Sequence, residues 1–204
     1  MSAPTASDVK VLRERTGAGM MDCKAALSEA GGDLDKAVEI LRVKGQASAA
    51  KRSGKATSEG VVASYIHATG KVGAMVEVQC ETDFVARNDE FREFAREIAL
   101  HVAGAPTPPA VVETEEISDA DRDAERSVHE RKAREDGKPD DVIDKIVSGQ
   151  LTKWEKEIAL LEQEHINSDR HEGKTIEELR AEVASRTGEN IRIARFARFV
   201  VGEE

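Results

Sequence analysis

Apolar residues fit for a buried face recur at every second position through residues 72–81: Val72, Ala74, Val76, Val78 and Cys80 alternate with Gly73, Met75, Glu77, Gln79 and Glu81. A period of two is a strand with one buried face, and such a strand needs a neighbour and a covering layer. A second β-rich run, 61–67, precedes it across Ala68-Thr69-Gly70, a gap that suits an antiparallel hairpin. This phase turns Cys80 inward as a small core hydrophobe. A third run, 191–200, can complete a three-stranded antiparallel sheet. In it Ile191 and Ile193 share a face while Phe196 is out of phase, so a bulge or burial on both faces is expected.

Helical patterns surround these strands. The first 45 residues read as three short helices: one capped by Thr5 or Ser7 and ended at Thr16-Gly17, one from Gly19-Met20 to Gly31-Gly32, and one capped by Asp33 and ended at Gly45. Residues 82–88 read as a loop. Beyond it Phe91, Phe94, Ala95, Ile98, Ala99 and Val102 mark one face of a strong amphipathic helix. Further helices are expected over 118–136 (Ser118 and Asp121 placed for a capping box), 139–148 (closed by Gly149), 151–161 and 176–186 (Thr175 and Glu178 as a capping box, Gly188 as the stop). The fold class is therefore α+β. It divides into a three-helix module at 1–46, a small, polar and basic linker at 47–59 whose front can also continue the third helix, and a core domain at 60–204 whose sheet is covered by helices.

Composition narrows the function. Charged residues make up 34% of the chain and aromatics 3%, and the net charge of −10 is concentrated in 112–185. An acidic body is unsuited to coating nucleic acid, because phosphate binding needs clustered Lys and Arg. Cys23 and Cys80 form no CxxC pair, and the five histidines make no ligand spacing. No cofactor and no metal are expected. No apolar run approaches a membrane span, and the first residues lack the regions of a signal peptide, so a cytoplasmic protein is expected. There is no phosphate loop, no GxSxG and no paired ligand motif, so the chain reads as no enzyme.

Two segments read as protein-binding surfaces. Met20 and Met21 are adjacent, so they cannot both face a three-helix core; at least one is exposed, beside Lys24, and suits an adaptable apolar contact. The run Cys80-Glu-Thr-Asp-Phe-Val-Ala-Arg-Asn88 displays a carboxylate beside a large aromatic as it leaves a buried strand. The residues alone leave open whether Phe84 is displayed or plugs the local core.

The segment Leu12-Arg-Glu-Arg-Thr-Gly-Ala-Gly-Met-Met-Asp-Cys-Lys24 resembles the N-terminal signature of the elongation factor Ts family. Val76-Glu-Val-Gln-Cys-Glu-Thr-Asp-Phe-Val-Ala-Arg-Asn88 resembles its core signature, and Gly137-Lys-Pro139, Lys145-Ile-Val-Ser-Gly149 and Thr187-Gly-Glu-Asn-Ile191 resemble further blocks in the family's order. The resemblance implies an exchange factor that binds elongation factor Tu·GDP, disturbs its Mg2+ site and promotes GDP release. It implies that the N-terminal module is ubiquitin-associated-like and docks on Tu through Met20, Met21 and Lys24. It also implies that Thr82, Asp83, Phe84 and Val85 enter between two helices of Tu near the magnesium. Long members carry two core halves, whereas this chain has room for one. Ser64-Tyr-Ile-His67 resembles a segment of the second half, which implies a contact of His67 with the third domain of Tu; on residues alone His67 is a histidine ending an edge strand. One core unit per chain leads to the expectation of a homodimer. The competing readings are a non-exchange adaptor using only the helical module, and an RNA-associated protein using Lys51, Arg52, Lys55 and the C-terminal arginines.

Overall fold

Short helices at the N-terminus are set by their caps. In the computed structural model, which describes residues 4–203, α1 (Ala6–Thr16) opens with a Thr5–Asp8 capping box and closes at Gly17, whose φ of 68° suits glycine. The next helix, α2 (Met20–Glu29), follows directly, and α3 (Leu34–Arg52) is capped by the Asp33 carboxylate on the N–H groups of Asp35 and Lys36. Their common core is Val9, Leu12, Cys23, Ala26, Leu27 and Ala37, with Leu34, Val38, Ile40 and Leu41 half-buried against it. The third helix does not end at Gly45 but runs on through the basic stretch to Arg52. Gly45 packs beside Ser185, where a Cβ would sit at an ordinary contact distance of 3.5 Å.

The hairpin forms as the alternation requires. Strands β1 (Glu59–Ile66) and β2 (Val72–Cys80) pair, and β3 (Arg192–Val200) lies beside β2, giving an antiparallel sheet in the order β1-β2-β3. Ala74, Val76, Val78 and Cys80 are buried while Met75 is half-exposed, so the period of two holds. In β3 the inward phase passes from Ile191 and Ile193 to the even positions, with Arg195, Ala197 and Phe199 exposed; this is the slip that Phe196 signalled. Gly60 is required by proximity: a Cβ would meet the Val78 carbonyl oxygen at 2.2 Å.

Between the second strand and the third come α4 (Asp83–Ala86), α5 (Asp89–Gly104), α6 (Asp119–Glu135), α7 (Asp140–Ile158), α8 (Ser168–His171) and α9 (Ile176–Thr187). The apolar face expected of α5 is buried in full. Two expected helices, 139–148 and 151–161, are one: α7 passes through Gly149, because Ile143, Val147 and Leu151 recur every fourth residue on a buried face. Such burial outweighs the roughly 1 kcal/mol that a glycine costs a helix. The charged α6 packs on α7 through Ala133, Ile143 and Val147, and Arg122 ties them by donating to Glu155 at 2.7 Å and to the Thr114 carbonyl at 2.6 Å.

The chain falls into two units. The first comprises the described residues up to Val62 with Val78–Ala95 and Glu178–Arg192; the second comprises Ala63–Glu77, Arg96–Glu177 and the residues from Ile193 on. Among the described residues no helix is long and apolar enough to cross a membrane.

Candidate functional site

The segment after β2, expected as a loop, is a single helical turn. Thr82, in extended conformation (φ −129°, ψ 157°), caps α4, and its hydroxyl oxygen accepts from the Val85 N–H. Ala86 is buried and anchors the turn, whereas Phe84 on its outer side is 81% exposed. A ring that exposed fills no core, so the plug alternative is removed. Asp83 pairs with Arg87 one turn on at 3.0 Å, with both side chains largely in water.

What holds this turn up comes from far along the chain. The Glu189 carboxylate accepts from the backbone N–H groups of Glu81 and Thr82, each at 3.0 Å, and from the Thr82 hydroxyl at 2.6 Å. In return Glu81 accepts from the Asn190 N–H at 2.7 Å, and its carboxylate pairs with Lys55 at 3.2 Å. The Asn190 N–H, then Lys55 and Arg52, hold the Glu81 carboxyl below the usual range against a smaller opposing effect of burial. Buried Asn190 donates to the carbonyls of Lys55 (2.9 Å) and Ser53 (3.3 Å). Burial, helped by the Glu189 charge, pushes the Cys80 thiol up to about 11; it stays protonated and faces the Thr82 carbonyl at 3.2 Å. Nothing here makes Cys80 a nucleophile.

Met20 is 59% and Met21 74% exposed, beside exposed Lys24, while Cys23, Ala26 and Leu27 of the same helix are buried. Both methionines therefore face water, one more than adjacency alone required. These residues and Thr82–Val85 belong to the first unit, and His67 belongs to the second. His67 is exposed at the end of β1, its Nδ1 3.3 Å from the Tyr65 hydroxyl, while its backbone N–H donates to the Val72 carbonyl at 2.9 Å.

The second unit also gathers Glu97, His165 and His171, whose side-chain donor atoms lie within 4.8 Å of one another. Of the three, His165 has the bonding of a brace, while Glu97 Oε2 and His171 Nε2 are buried without a hydrogen-bond partner among the described residues. His165 is buried, and burial brings its pKa down to about 4, so the ring is neutral at pH 7. Its Nδ1 accepts from the Asn167 N–H at 3.1 Å, which puts the ring proton on Nε2, toward the Glu97 carbonyl at 3.2 Å. A neutral ring so engaged has no lone pair left for a metal. His101 is held alike: Nδ1 accepts from Ile166 N–H at 3.0 Å and Nε2–H faces Gln163 Oε1 at 2.8 Å. Glu97 takes Arg170 on one oxygen and lies 3.5 Å from His171 Nε2 with the other. His101 and His165 thus fasten the 163–167 segment to α5.

Neither the Glu189 clasp nor the histidine brace is visible to sequence reasoning. Thr187-Gly-Glu-Asn-Ile191 carries only a resemblance, and the one local signal is Gly188, whose φ of 72° ends α9 and turns Glu189 back.

Comparison with known proteins adds the family. The family model described as elongation factor TS matches residues 35–203, a span that begins downstream of Met20, Met21 and Lys24. The elongation factor Ts of Nitratidesulfovibrio vulgaris is 53% identical over 202 residues, covering 99% of this chain and 98% of that protein. That of Geobacter sulfurreducens is 50% identical over 199 residues (98% of this chain, 90% of that protein), and that of Desulfosudis oleivorans is 50% identical over 203 residues, with full coverage of both. With a matching family model over most of its length and relatives at half identity from end to end, the chain belongs to the elongation factor Ts family.

Proposed function

We propose that this chain is a guanine-nucleotide exchange factor for elongation factor Tu, acting in the cytoplasm through protein contacts and with no covalent chemistry of its own. The observation that carries the reading is Phe84, a large apolar ring 81% exposed on a turn that is capped and clasped from both sides. An exposed, ordered aromatic beside a carboxylate fits a wedge that enters another protein. Under this reading Thr82, Asp83, Phe84 and Val85 push between a pair of Tu helices beside its magnesium, and loss of the metal leaves the GDP phosphates less neutralised.

The energetic logic is linkage. Nanomolar affinity for GDP corresponds to about 12 kcal/mol, and a factor that binds nucleotide-free Tu more tightly than Tu·GDP weakens GDP by the same factor. Met20, Met21 and Lys24 provide docking from the module at 1–46, in keeping with two exposed methionines on one short helix. His67 meets the third domain of Tu. Exposed Ile66, Met75 and Phe199 in the second unit favour a two-fold joint between copies, so that one copy supplies the wedge and the other the His67 surface. The test is release of a fluorescent GDP analogue from a bacterial Tu. Micromolar protein should accelerate release and leave GTP hydrolysis by Tu alone unchanged. An unaltered GDP off-rate with a cognate Tu refutes the reading.

A further inference from the structure

A helical turn of four residues cannot hold its own shape in water, because nucleation fixes several dihedrals for one hydrogen bond. Phe84 gains little from burial, and the Asp83–Arg87 pair is too exposed to order the turn. Buried Ala86 and the Arg92 guanidinium on the Ala86 carbonyl at 3.1 Å hold the end of the turn, and its start is set by the Thr82 hydroxyl, which accepts from Val85 N–H at 3.5 Å while donating to Glu189 Oε1 at 2.6 Å. A hydroxyl has one hydrogen. Committing it to the carboxylate turns its lone pairs toward the Val85 amide, and each bond polarises the other. The second carboxylate oxygen takes both N–H groups that lead into the turn, each at 3.0 Å.

From this geometry we infer that Glu189 is a positioning residue for nucleotide exchange: through the Thr82 hydroxyl it fixes the turn that presents Asp83 and Phe84. The inference rests on the reading of 82–85 as the wedge. Glu189 touches neither Tu nor nucleotide in this scheme; it makes the wedge stiff. Glutamine at this position keeps the size but offers one acceptor oxygen to three donors. Asn190 has a separate task, since its amide joins the clasp to the carbonyls of Ser53 and Lys55.

The experiment is GDP-analogue release from bacterial Tu over a range of concentrations of the full chain, giving the maximal rate and the half-saturating concentration. Glu189→Gln should lower the maximal rate about tenfold, the order expected for losing hydrogen bonds to a charged acceptor. The half-saturating concentration should change by less than about threefold, because docking through Met20 and Met21 is untouched. Thr82→Val should match Glu189→Gln, and the double variant should be no slower than either. Losses that multiply in the double variant, or a Glu189→Gln effect confined to the half-saturating concentration, overturn the assignment. Phe84→Ala run alongside separates the two levels. If Phe84→Ala slows release and Glu189→Gln and Thr82→Val do not, the role of Glu189 is wrong and the wedge stands; if Phe84→Ala leaves release intact, the wedge itself is wrong.

Discussion

Replacing Phe84 and Phe91 separately by alanine removes the same atoms from two environments seven positions apart. Phe91 is fully buried on the α5 face, whereas Phe84 keeps 81% of its surface in water. Truncating a buried phenylalanine costs about 3–5 kcal/mol. Full burial of such a side chain is worth about 1.5–3 kcal/mol, so the fifth of Phe84 that is covered contributes only about 0.5 kcal/mol. For a chain of this size each kcal/mol moves Tm by about 2–4 °C. Phe91→Ala should therefore lose about 6–20 °C in a thermal melt, and Phe84→Ala about 2 °C or less. In release of a fluorescent GDP analogue the order reverses. If the ring is buried in Tu at the exchange transition state, Phe84→Ala forfeits about 1.5–3 kcal/mol there and slows assisted release about ten- to hundredfold. A loss of more than about 2 kcal/mol of stability in Phe84→Ala, or undiminished exchange, would show that the ring serves the fold.

Met20→Ala with Met21→Ala should leave Tm within about 2 °C, since both side chains are exposed, and should raise the half-saturating concentration for exchange more than it lowers the maximal rate. Light scattering at micromolar concentration should give about twice the 22.2 kDa chain mass, and a mixture of Phe84→Ala and His67→Ala chains should regain exchange that neither shows alone; a fully active monomer contradicts this. His165, with its pKa lowered to about 4, is neutral in both states above pH 6.5, but below that the unfolded chain takes the proton first. Its contribution to stability thus falls by up to about 3 kcal/mol as pH drops from 6.5 to 4, and denaturant titrations of His165→Gln should show a flatter slope over that window. Gly60→Ala should cost about 1–3 kcal/mol in urea denaturation, because its methyl would meet the Val78 carbonyl.

Local patterns carry most of the architecture. The alternation in 72–81 and the apolar stripe from Phe91 to Val102 are each complete within one element, so their burial follows from spacing alone. Sequence and structure diverge where a glycine is given more weight than the stripe around it. Gly45 and Gly149 read as stops, yet α3 and α7 continue through them, because propensity is a small local effect and burial of Ile143, Val147 and Leu151 a larger one. The candidate site is half legible. Adjacency alone requires one of Met20 and Met21 to be exposed, whereas the display of Phe84 is open on the residues and is settled by its 81% exposure. The clasp is another matter: Glu189 and Thr82 are 107 residues apart, have no shared periodicity, and sit in a chain so rich in carboxylates that one more signals nothing. The histidine brace is hidden for the same reason, since His165 reaches back 68 residues to the Glu97 carbonyl.

Stiffness in the 80–88 segment bears directly on what an exchange factor must do. A ligand shifts an equilibrium only by its difference in affinity for the two states, and one that fits both equally shifts nothing. A flexible Phe84 would settle on Tu·GDP as readily as on the open state, with the loss of its own freedom as the main cost in both. On the proposed reading, a turn fixed in one pose is complementary to one separation of the helices its ring enters and clashes with the other. Ordering the turn beforehand also removes part of the backbone entropy loss, about 1–2 kcal/mol for each residue fixed, from the binding step. The exposed ring, the Thr82 cap and the Glu189 carboxylate then serve a single requirement. On the proposed reading, exposure lets the wedge reach its partner, and the clasp turns contact into discrimination between nucleotide states. On this logic the clasp variants should bind nucleotide-free Tu and Tu·GDP with affinities closer together than the parent does, even where binding itself survives. Calorimetric titration of both forms of Tu measures that difference, and an unchanged ratio in Glu189→Gln would separate stiffness from exchange.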